Sequence, residues 1–329
     1  MQALVTGGTG FIGSHLTDEL IEQGYEVRVL RRTTSSTKAL KGKKASFALG
    51  DLTDPISLIH ACEHVDVVFH VAALPRDWGP KKTFFDINLD GTKNLLNACI
   101  KNKVSRFIFM SSAAAYGFPK TAIPITEEYP KKPTAKYGES KLIAEQLIWA
   151  YGKKFDMTVS AIRSPLVIGP RDSLIAPFLI QALKEGRLFY IGNGQQQISI
   201  SDGRDVAFCL RLSCETDKAA GQVYNVKSFD STPKQLIETL AEKIHVPAPK
   251  THRSYLRAYL LASLIEGLWV IRRKQNPPFT RNKVKVLGHA RQLDITKAEQ
   301  ELHYKPRYTM TSTIDDLVEW YQQRAEVIG

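Results

Sequence analysis

Tyr137 and Lys141 stand four residues apart in a helical pattern running from Ala135 to Tyr151. That spacing puts both side chains on one helix face. A free phenol, with a pKa near ~10, is a poor base at neutral pH. An ammonium beside it stabilises the phenolate and lowers that pKa. Ser112 ends a strand pattern that runs from Val104 to Met110 and continues into Ser111. Its hydroxyl can hydrogen-bond a substrate oxygen and fix that oxygen against Tyr137. A tunable phenol, a cation and a positioning hydroxyl suit proton transfer at an oxygen coupled to hydride transfer at its carbon.

Hydride chemistry needs a dinucleotide, and the N-terminus offers a place for one. The run Thr6-Gly7-Gly8-Thr9-Gly10-Phe11-Ile12-Gly13 follows a short apolar segment, Ala3 to Val5, and opens a helical pattern, Ile12 to Gln23. Strand, glycine turn and helix is the context that gives such a motif meaning. Gly7, Gly10 and Gly13 would supply the tight turn, the close approach of a pyrophosphate and the close packing of helix on strand. The helix N-terminus adds free N–H donors and a positive dipole end. The second strand ends in Arg31 and Arg32, followed by hydroxyl residues, where an NAD site usually carries an acid. Arginine accommodates a 2′-phosphate instead. The expected cofactor is therefore NADP(H), with NAD(H) as the alternative. Asp51, after the third strand, is placed for an adenine amino group. It could also cap the helix after Pro55, although Asp54 is the better cap there.

The elements that must position these groups alternate. Strand patterns cover Tyr25–Leu30, Ala45–Leu49, Asp66–Val71, Val104–Met110 and Thr158–Ile162. Helical patterns lie near Ile56–Cys62, Thr83–Lys101 and Ala135–Tyr151. This order predicts an α/β fold with a Rossmann-type doubly wound parallel sheet. After Pro165 the pattern loosens, with helical stretches near 174–186, 204–214 and 233–244 and a strand at Gln222–Val226. The expected organisation is a dinucleotide-binding domain over 1–165. A smaller C-terminal α+β substrate lobe over 166–329 follows, some of its segments returning to the main sheet.

Composition narrows the partners. The chain of 329 residues has 45 basic and 33 acidic side chains, a net charge of +12. That charge favours anionic partners such as a phosphorylated cofactor, an acidic substrate or an anionic membrane surface. The lysines are dispersed and no basic segment is interleaved with aromatics, so no nucleic acid is expected. Lys41-Gly42-Lys43-Lys44 reads as a solvated turn. Cys62, Cys99, Cys209 and Cys214 form no C-x-x-C pair. They read as inert thiols in a reducing compartment, with no metal site and no disulfide framework. The first strand begins at residue 2 or 3, which leaves no room for a leader. No run reaches the ~20 apolar residues of a membrane span. A cytoplasmic location is expected.

Taken together the motifs resemble an extended short-chain dehydrogenase/reductase, the group with epimerase/dehydratase domains. The resemblance rests on Thr6 to Gly13, Gly50-Asp51-Leu52, His70-Val71-Ala72-Ala73 and Asn88-Leu89-Asp90-Gly91-Thr92. It continues through Ser111-Ser112, Tyr137 with Lys141, and Arg163-Ser164-Pro165, and so covers nearly the whole chain. It implies that Ser112, Tyr137 and Lys141 are the catalytic triad. Phe11 and Ile12 would flank the pyrophosphate. Asp51, Leu52, Ala72 and Ala73 would line the cofactor, and Pro165 to Val167 would approach the nicotinamide. Asn88 would be structural, and a homodimer built from two helices per subunit is implied.

Departures from the family pattern narrow the branch. Nucleotide-sugar dehydratases of this group carry an acidic pair after the catalytic hydroxyl residue, whereas Ala113 and Ala114 stand here. Its epimerases carry Gly-x-Gly-x-x-x-Arg, the arginine holding a diphosphate. The matching segment, Gly192 to Ile198, ends in isoleucine. A buried diphosphate needs charge-assisted partners, which Arg204 or Arg187 could replace. Pro277 to Arg281, Val284 to Gly288, Asp294 to Ala298 and the loop Leu74 to Gly79 resemble the 3β-hydroxysteroid dehydrogenase-like branch. Trp78, Ala113 and Ile198 are the expected substrate contacts. The apolar stretch Tyr255–Ile271, followed by Arg272-Arg273-Lys274, has two readings. It is a lid or core helix, or an amphipathic helix giving peripheral membrane contact through 255–274. The function expected is interconversion of a secondary alcohol and a ketone on a hydrophobic, sterol-like or other lipid-like substrate. The alternatives are a nucleotide-sugar epimerase and a non-catalytic cofactor-binding regulator.

Overall fold

The computed structural model describes residues 1–119, 121, 123–272 and 277–326. The first half runs β1 (Gln2–Thr6), α1 (Phe11–Glu22), β2 (Glu26–Arg31), β3 (Ala45–Leu49), α2 (Pro55–Ala61) and β4 (Val67–His70). It continues with α3 (Lys81–Phe85), α4 (Gly91–Lys101), β5 (Arg106–Ser112), α5 (Lys136–Phe155) and β6 (Thr158–Ser164). The second half begins β7 (Leu166–Ile168), α6 (Ile175–Lys184), β8 (Tyr190–Ile191), β9 (Ile198–Asp202), α7 (Gly203–Glu215) and β10 (Val223–Asn225). Then come β11 (Phe229–Ser231), α8 (Pro233–Lys243), β12 (His252–Arg253) and α9 (Tyr255–Ile271). Last are α10 (Arg281–Gly288), α11 (Thr296–Leu302) and α12 (Met310–Glu326).

Seven strands form one sheet in the order β10-β6-β5-β4-β1-β2-β3. Every pairing in it is parallel. A parallel sheet is buried on both faces, and β1 shows it. Ala3 and Val5 face a core shared with Leu16 and Leu20 of α1 and Val206 and Leu210 of α7. Leu4 faces the opposite core, with Leu58 of α2, Leu95 of α4 and Ile148 of α5. The chain reverses direction across the sheet between β1 and β4. That switch point opens a crevice beyond the strands' carboxyl ends, where ligands bind in such folds.

One expected helix is three segments. A π-helical turn, Asp86–Asp90, separates α3 from α4. The extra residue turns Asn88 inward, a common use of such bulges. Asn88 Oδ1 accepts from the Leu74 amide at 2.7 Å, and its Nδ2 donates to Ser140 Oγ at 3.0 Å. It therefore ties the 74–79 loop to α5. Downstream of β6, β7 and β9 pair in a three-stranded sheet ordered β11-β9-β7. Ile168, Ile180, Ile200, Leu236 and Leu317 pack a second core around it. A small third core joins Ile191, Ala258, Ala262 and Val284, holding α9 and α10 together. All four cysteines are buried and unpaired.

Candidate active site

The glycine turn sits at the end of β1. Gly7 has φ +71°, and a Cβ there would lie 2.8 Å from the Ala72 amide nitrogen. A Cβ on Gly13 would come within 2.1 Å of the Gly7 carbonyl oxygen. Gly10 caps α1 with no side-chain bond, and its own amide donates to Gly7 O at 2.9 Å. The start of α1 is therefore capped by backbone alone, and Gly13 leaves no room for a Cβ. This fits a dinucleotide pyrophosphate. Phe11 packs its ring on His15 and against Gly203 of α7, and Ile12 lies on the main core. Ala72 donates its amide to Thr6 Oγ1 at 3.2 Å, and Ala73 follows in the same partly buried segment. Pro165 and Val167 flank the end of β6, both partly buried.

Arg31 ends β2, with its guanidinium 5.5 Å from the Phe47 ring centroid. Its buried Nε has no partner, whereas Arg32 beside it is exposed. Asp51 accepts from the amide and hydroxyl of Thr53 at 2.9 and 2.7 Å. Burial raises its pKa, but those bonds and the Arg32 charge outweigh burial and hold it below its ordinary value. Asp54 caps α2 through the amides of Ile56 and Ser57. Leu52 is buried against Gly91.

Ser112 ends β5 and accepts from the Ala114 amide at 3.1 Å, opening a short 3₁₀ turn over Ala113–Tyr116. Tyr137 lies one residue into α5. The glycine after it permits the approach, since a Cβ on Gly138 would sit 2.6 Å from Ala114 O. Burial lifts the Tyr137 phenol to about 12, and the Ser112 hydroxyl pulls the other way. Lys141 follows one turn along α5. It is 1% exposed, and its Nζ lies 3.9 Å from the Phe109 ring centroid. Burial brings its own pKa down to about 7, against the pull of Glu145. With its pKa raised, the Tyr137 phenol stays protonated at neutral pH.

Under Lys141 lies a buried ionic network. Glu145, one turn further along α5, accepts from Ser111 Oγ at 2.6 Å and from both Nε and Nη2 of Arg163. Arg163 also donates to the Tyr116 hydroxyl at 2.7 Å, and that hydroxyl donates to Asn225 Oδ1 at 2.8 Å. Sequence reasoning passed over Glu145. The signal was available: it is eight residues after Tyr137, on the same helix face.

The substrate side draws on distant segments. Asp77 in the 74–79 loop accepts from Thr280, the cap of α10, and Gly79 O accepts from Lys136 at 2.8 Å. Trp78 sits partly buried in this strap. Two expected contacts do not face the cleft. Ala113 is buried with Tyr116, Ile125 and Leu293, and Ile198 is buried in the second core. Each is small or apolar and is used for packing. Neither arginine weighed as a diphosphate partner is free. Arg204 bonds Asp202 and Asp316 and stacks on Tyr308, while Arg187 pairs with Glu185. A cleft of about 380 Å³ is lined by Ile191, Gly192, Asn193, Gln195, Gln196, Tyr255 and Gly288.

Helix α9 turns Ala258, Ala262 and Glu266 inward. Leu256, Leu260, Leu264, Leu268 and Ile271 are exposed along the opposite side. Arg273 and Lys274, part of the expected basic end, lie outside the described residues. Among the described residues no helix is long and apolar enough to cross a membrane.

Known proteins share this fold. A model of the NAD dependent epimerase/dehydratase family matches residues 3–226. The chain is 29% identical over 327 residues to a mouse (Mus musculus) protein named sterol-4-alpha-carboxylate 3-dehydrogenase, decarboxylating. The match covers 96% of this chain and 89% of that one. It is 28% identical over 324 residues to 2-alkyl-3-oxoalkanoate reductase of Stenotrophomonas maltophilia, covering 94% of this chain and 96% of the other. The solved structure of a Bacillus cereus UDP-glucuronic acid 4-epimerase in complex with NAD superposes with a TM-score of 0.78 at 25% identity. It covers 98% of this chain and 99% of that one.

Proposed function

The chain belongs to the NAD dependent epimerase/dehydratase family, as an oxidoreductase of the extended short-chain kind, and from that premise we propose that it interconverts a secondary alcohol and a ketone on a hydrophobic, lipid-like substrate. The observation that carries the reading is the hydrogen bond between the Ser112 and Tyr137 hydroxyls at the end of β5, with Lys141 buried one turn further along α5. A dinucleotide held at the Gly7–Gly13 turn would supply or accept the hydride. Ser112 holds the substrate oxygen. Tyr137, kept protonated by burial, gives that oxygen its proton in the ketone direction. A Lys141 ammonium stabilises the phenolate left behind. The 166–329 region serves as the substrate lobe, and segments such as β10 return to the main sheet.

Arg31 supports NADP(H) over NAD(H). Its guanidinium is braced on Phe47 with a buried Nε still unpartnered, at the strand end where a ribose 2′-phosphate would lie. A homodimer belongs to the same reading. So does peripheral membrane contact by an otherwise cytoplasmic protein. The exposed leucines of α9 lie among exposed Arg253, Arg257 and Arg272, which suits an anionic lipid surface. Flotation with phosphatidylglycerol vesicles, lost in a Leu260→Glu, Leu264→Glu variant, is the expected result for that contact. Flotation that the double variant leaves intact would contradict it.

The nucleotide-sugar epimerase is the weaker reading, because Ile198 is buried and Arg187 and Arg204 are held by carboxylates. The test is absorbance of NADPH with an alicyclic or long-chain ketone. Oxidation of NADPH is expected. Conversion of UDP-glucose to its C4 epimer without net cofactor change would overturn the proposal.

A further inference from the structure

Ser112 and Tyr137 keep their hydroxyls in contact although they stand on different elements. Neither element end is held firmly by itself. Ser112 opens a short 3₁₀ turn over Ala113–Tyr116, and Ala135, the residue before α5, makes no side-chain cap bond. A proton passes only over a short, aligned gap, so the two backbones need a common anchor.

The anchor is on β6. Arg163 is 2% exposed and pairs in register with Ser111 of β5. Its guanidinium uses all three nitrogens. Nε and Nη2 donate to Glu145 of α5. Nη1 donates to the Tyr116 hydroxyl at 2.7 Å and to Glu127 O at 3.1 Å. Glu145 Oε2 also accepts from Ser111 Oγ at 2.6 Å. Ser111 stands immediately before Ser112, and Tyr116 ends the turn that Ser112 begins. One ion pair therefore holds the serine's segment from both sides. Glu145 follows Tyr137 and Lys141 at successive four-residue steps, so the same pair holds the helix of the phenol. The Tyr116 hydroxyl donates onward to Asn225 Oδ1 at 2.8 Å. Among the described residues, no buried side-chain atom of Arg163, Glu145, Tyr116 or Asn225 lacks a partner.

Stability alone does not account for this pair. Burying two charges costs about as much desolvation as their attraction offsets, and apolar side chains of the same volume would pack as well. What a planar fork on a carboxylate adds is geometry, because two parallel bonds fix both distance and angle. A shift of about 1 Å in a reacting group costs on the order of 10²-fold in rate. We propose that Arg163 and Glu145 are positioning residues of the reaction, locking the 111–116 segment to α5 so that the Ser112 hydroxyl stays on the Tyr137 hydroxyl. This rests on the hydride-transfer reading above. Both act through Ser111, Tyr116 and the helix backbone.

The test removes one tether at a time and leaves the ion pair whole. Ser111→Ala deletes the bond to Glu145, and Tyr116→Phe deletes the bond to Arg163. Tyr25→Phe is the control. It too deletes a bonded tyrosine hydroxyl, the one on Glu215, but before β2, at the amino ends of the strands. With NADPH and a hydrophobic ketone, kcat should fall about tenfold in each tether variant and about 100-fold in the double. KM and NADPH affinity should stay within about twofold. Tyr25→Phe should lose a comparable amount of thermal midpoint and keep its kcat. In the fluorotyrosine-labelled full chain, the Tyr137 fluorine resonance is assigned by its absence in Tyr137→Phe. It should shift in both tether variants and hold in Tyr25→Phe. Wild-type kcat in both tether variants would overturn the positioning role and leave the hydride reading standing. So would a Tyr137 resonance that neither variant moves, or an equal fall of kcat in Tyr25→Phe. A resonance that moves as expected, in a protein that oxidises NADPH with no ketone, keeps the positioning and removes the hydride reading.

Discussion

The two sides of the crevice are built by different means. On the dinucleotide side the backbone does the work, within eight consecutive residues. Gly7 takes a left-handed turn at φ +71°, and Gly13 leaves no room for a Cβ 2.1 Å from Gly7 O. On the proposed substrate side, side chains from three separate segments meet: Phe118, Tyr255, and His289 with Arg291, joined by ring contacts. A backbone cradle tolerates almost no added atom, so it stays the same whatever the substrate. A cluster of side chains can be changed one residue at a time, which is how one fold serves many substrates.

Between the two sides lies Lys141, and replacing it should have the largest effect. Lys141→Met should cost about 10²- to 10⁴-fold in turnover. It should also raise thermal stability at neutral pH, because the wild-type fold buries an ammonium. The folded pKa is lowered to about 7 from 10.5, so between those values the unfolded chain binds more protons. Wild-type stability should therefore rise as pH goes from about 7 towards 10. The methionine variant should lose that component of the slope. Melting curves across this range check it, and an unchanged slope in the variant would count against a buried charge.

Gly13→Ala should weaken dinucleotide binding roughly 100-fold, since the new Cβ must displace the turn. Cofactor fluorescence titration reads it. An equally small substitution on the substrate side, Phe118→Leu, should leave that titration unchanged and alter substrate KM alone. If Phe118→Leu weakened the dinucleotide as much, the two sides would not be separable.

A subtler effect is on pH dependence. Ketone reduction should fall as pH rises through about 7, where Lys141 loses the charge that stabilises the phenolate. Glu145 raises the Lys141 pKa, so Glu145→Gln should move the midpoint to lower pH. It should also destabilise the fold, because Arg163 would be left buried with half its partner gone. The smallest effect belongs to Arg31→Ala, which should reduce preference for NADPH over NADH by about tenfold. No change in the NADPH:NADH ratio of kcat/KM would remove Arg31 from 2′-phosphate recognition.

Much of the cofactor side was legible in the sequence because its signals are local. Glycine spacing, strand alternation and the four-residue step from Tyr137 to Lys141 each lie within one element or one turn. The split of the 83–101 helix was not legible, because it depends on Asn88 bonding Leu74 and Ser140 across the fold. The ring contact of Lys141 was not legible for a similar reason. Helical spacing placed both side chains on one face but could not show that Phe109 would cover the ammonium.

The central claim is that the Tyr137 phenol transfers the proton that accompanies hydride transfer. Steady-state NADPH oxidation with a hydrophobic ketone, compared between the wild type and Tyr137→Phe, tests it most directly. The phenylalanine variant should bind NADPH normally and lose about 10²- to 10⁴-fold in kcat. Turnover within a few-fold of the wild type would contradict the account.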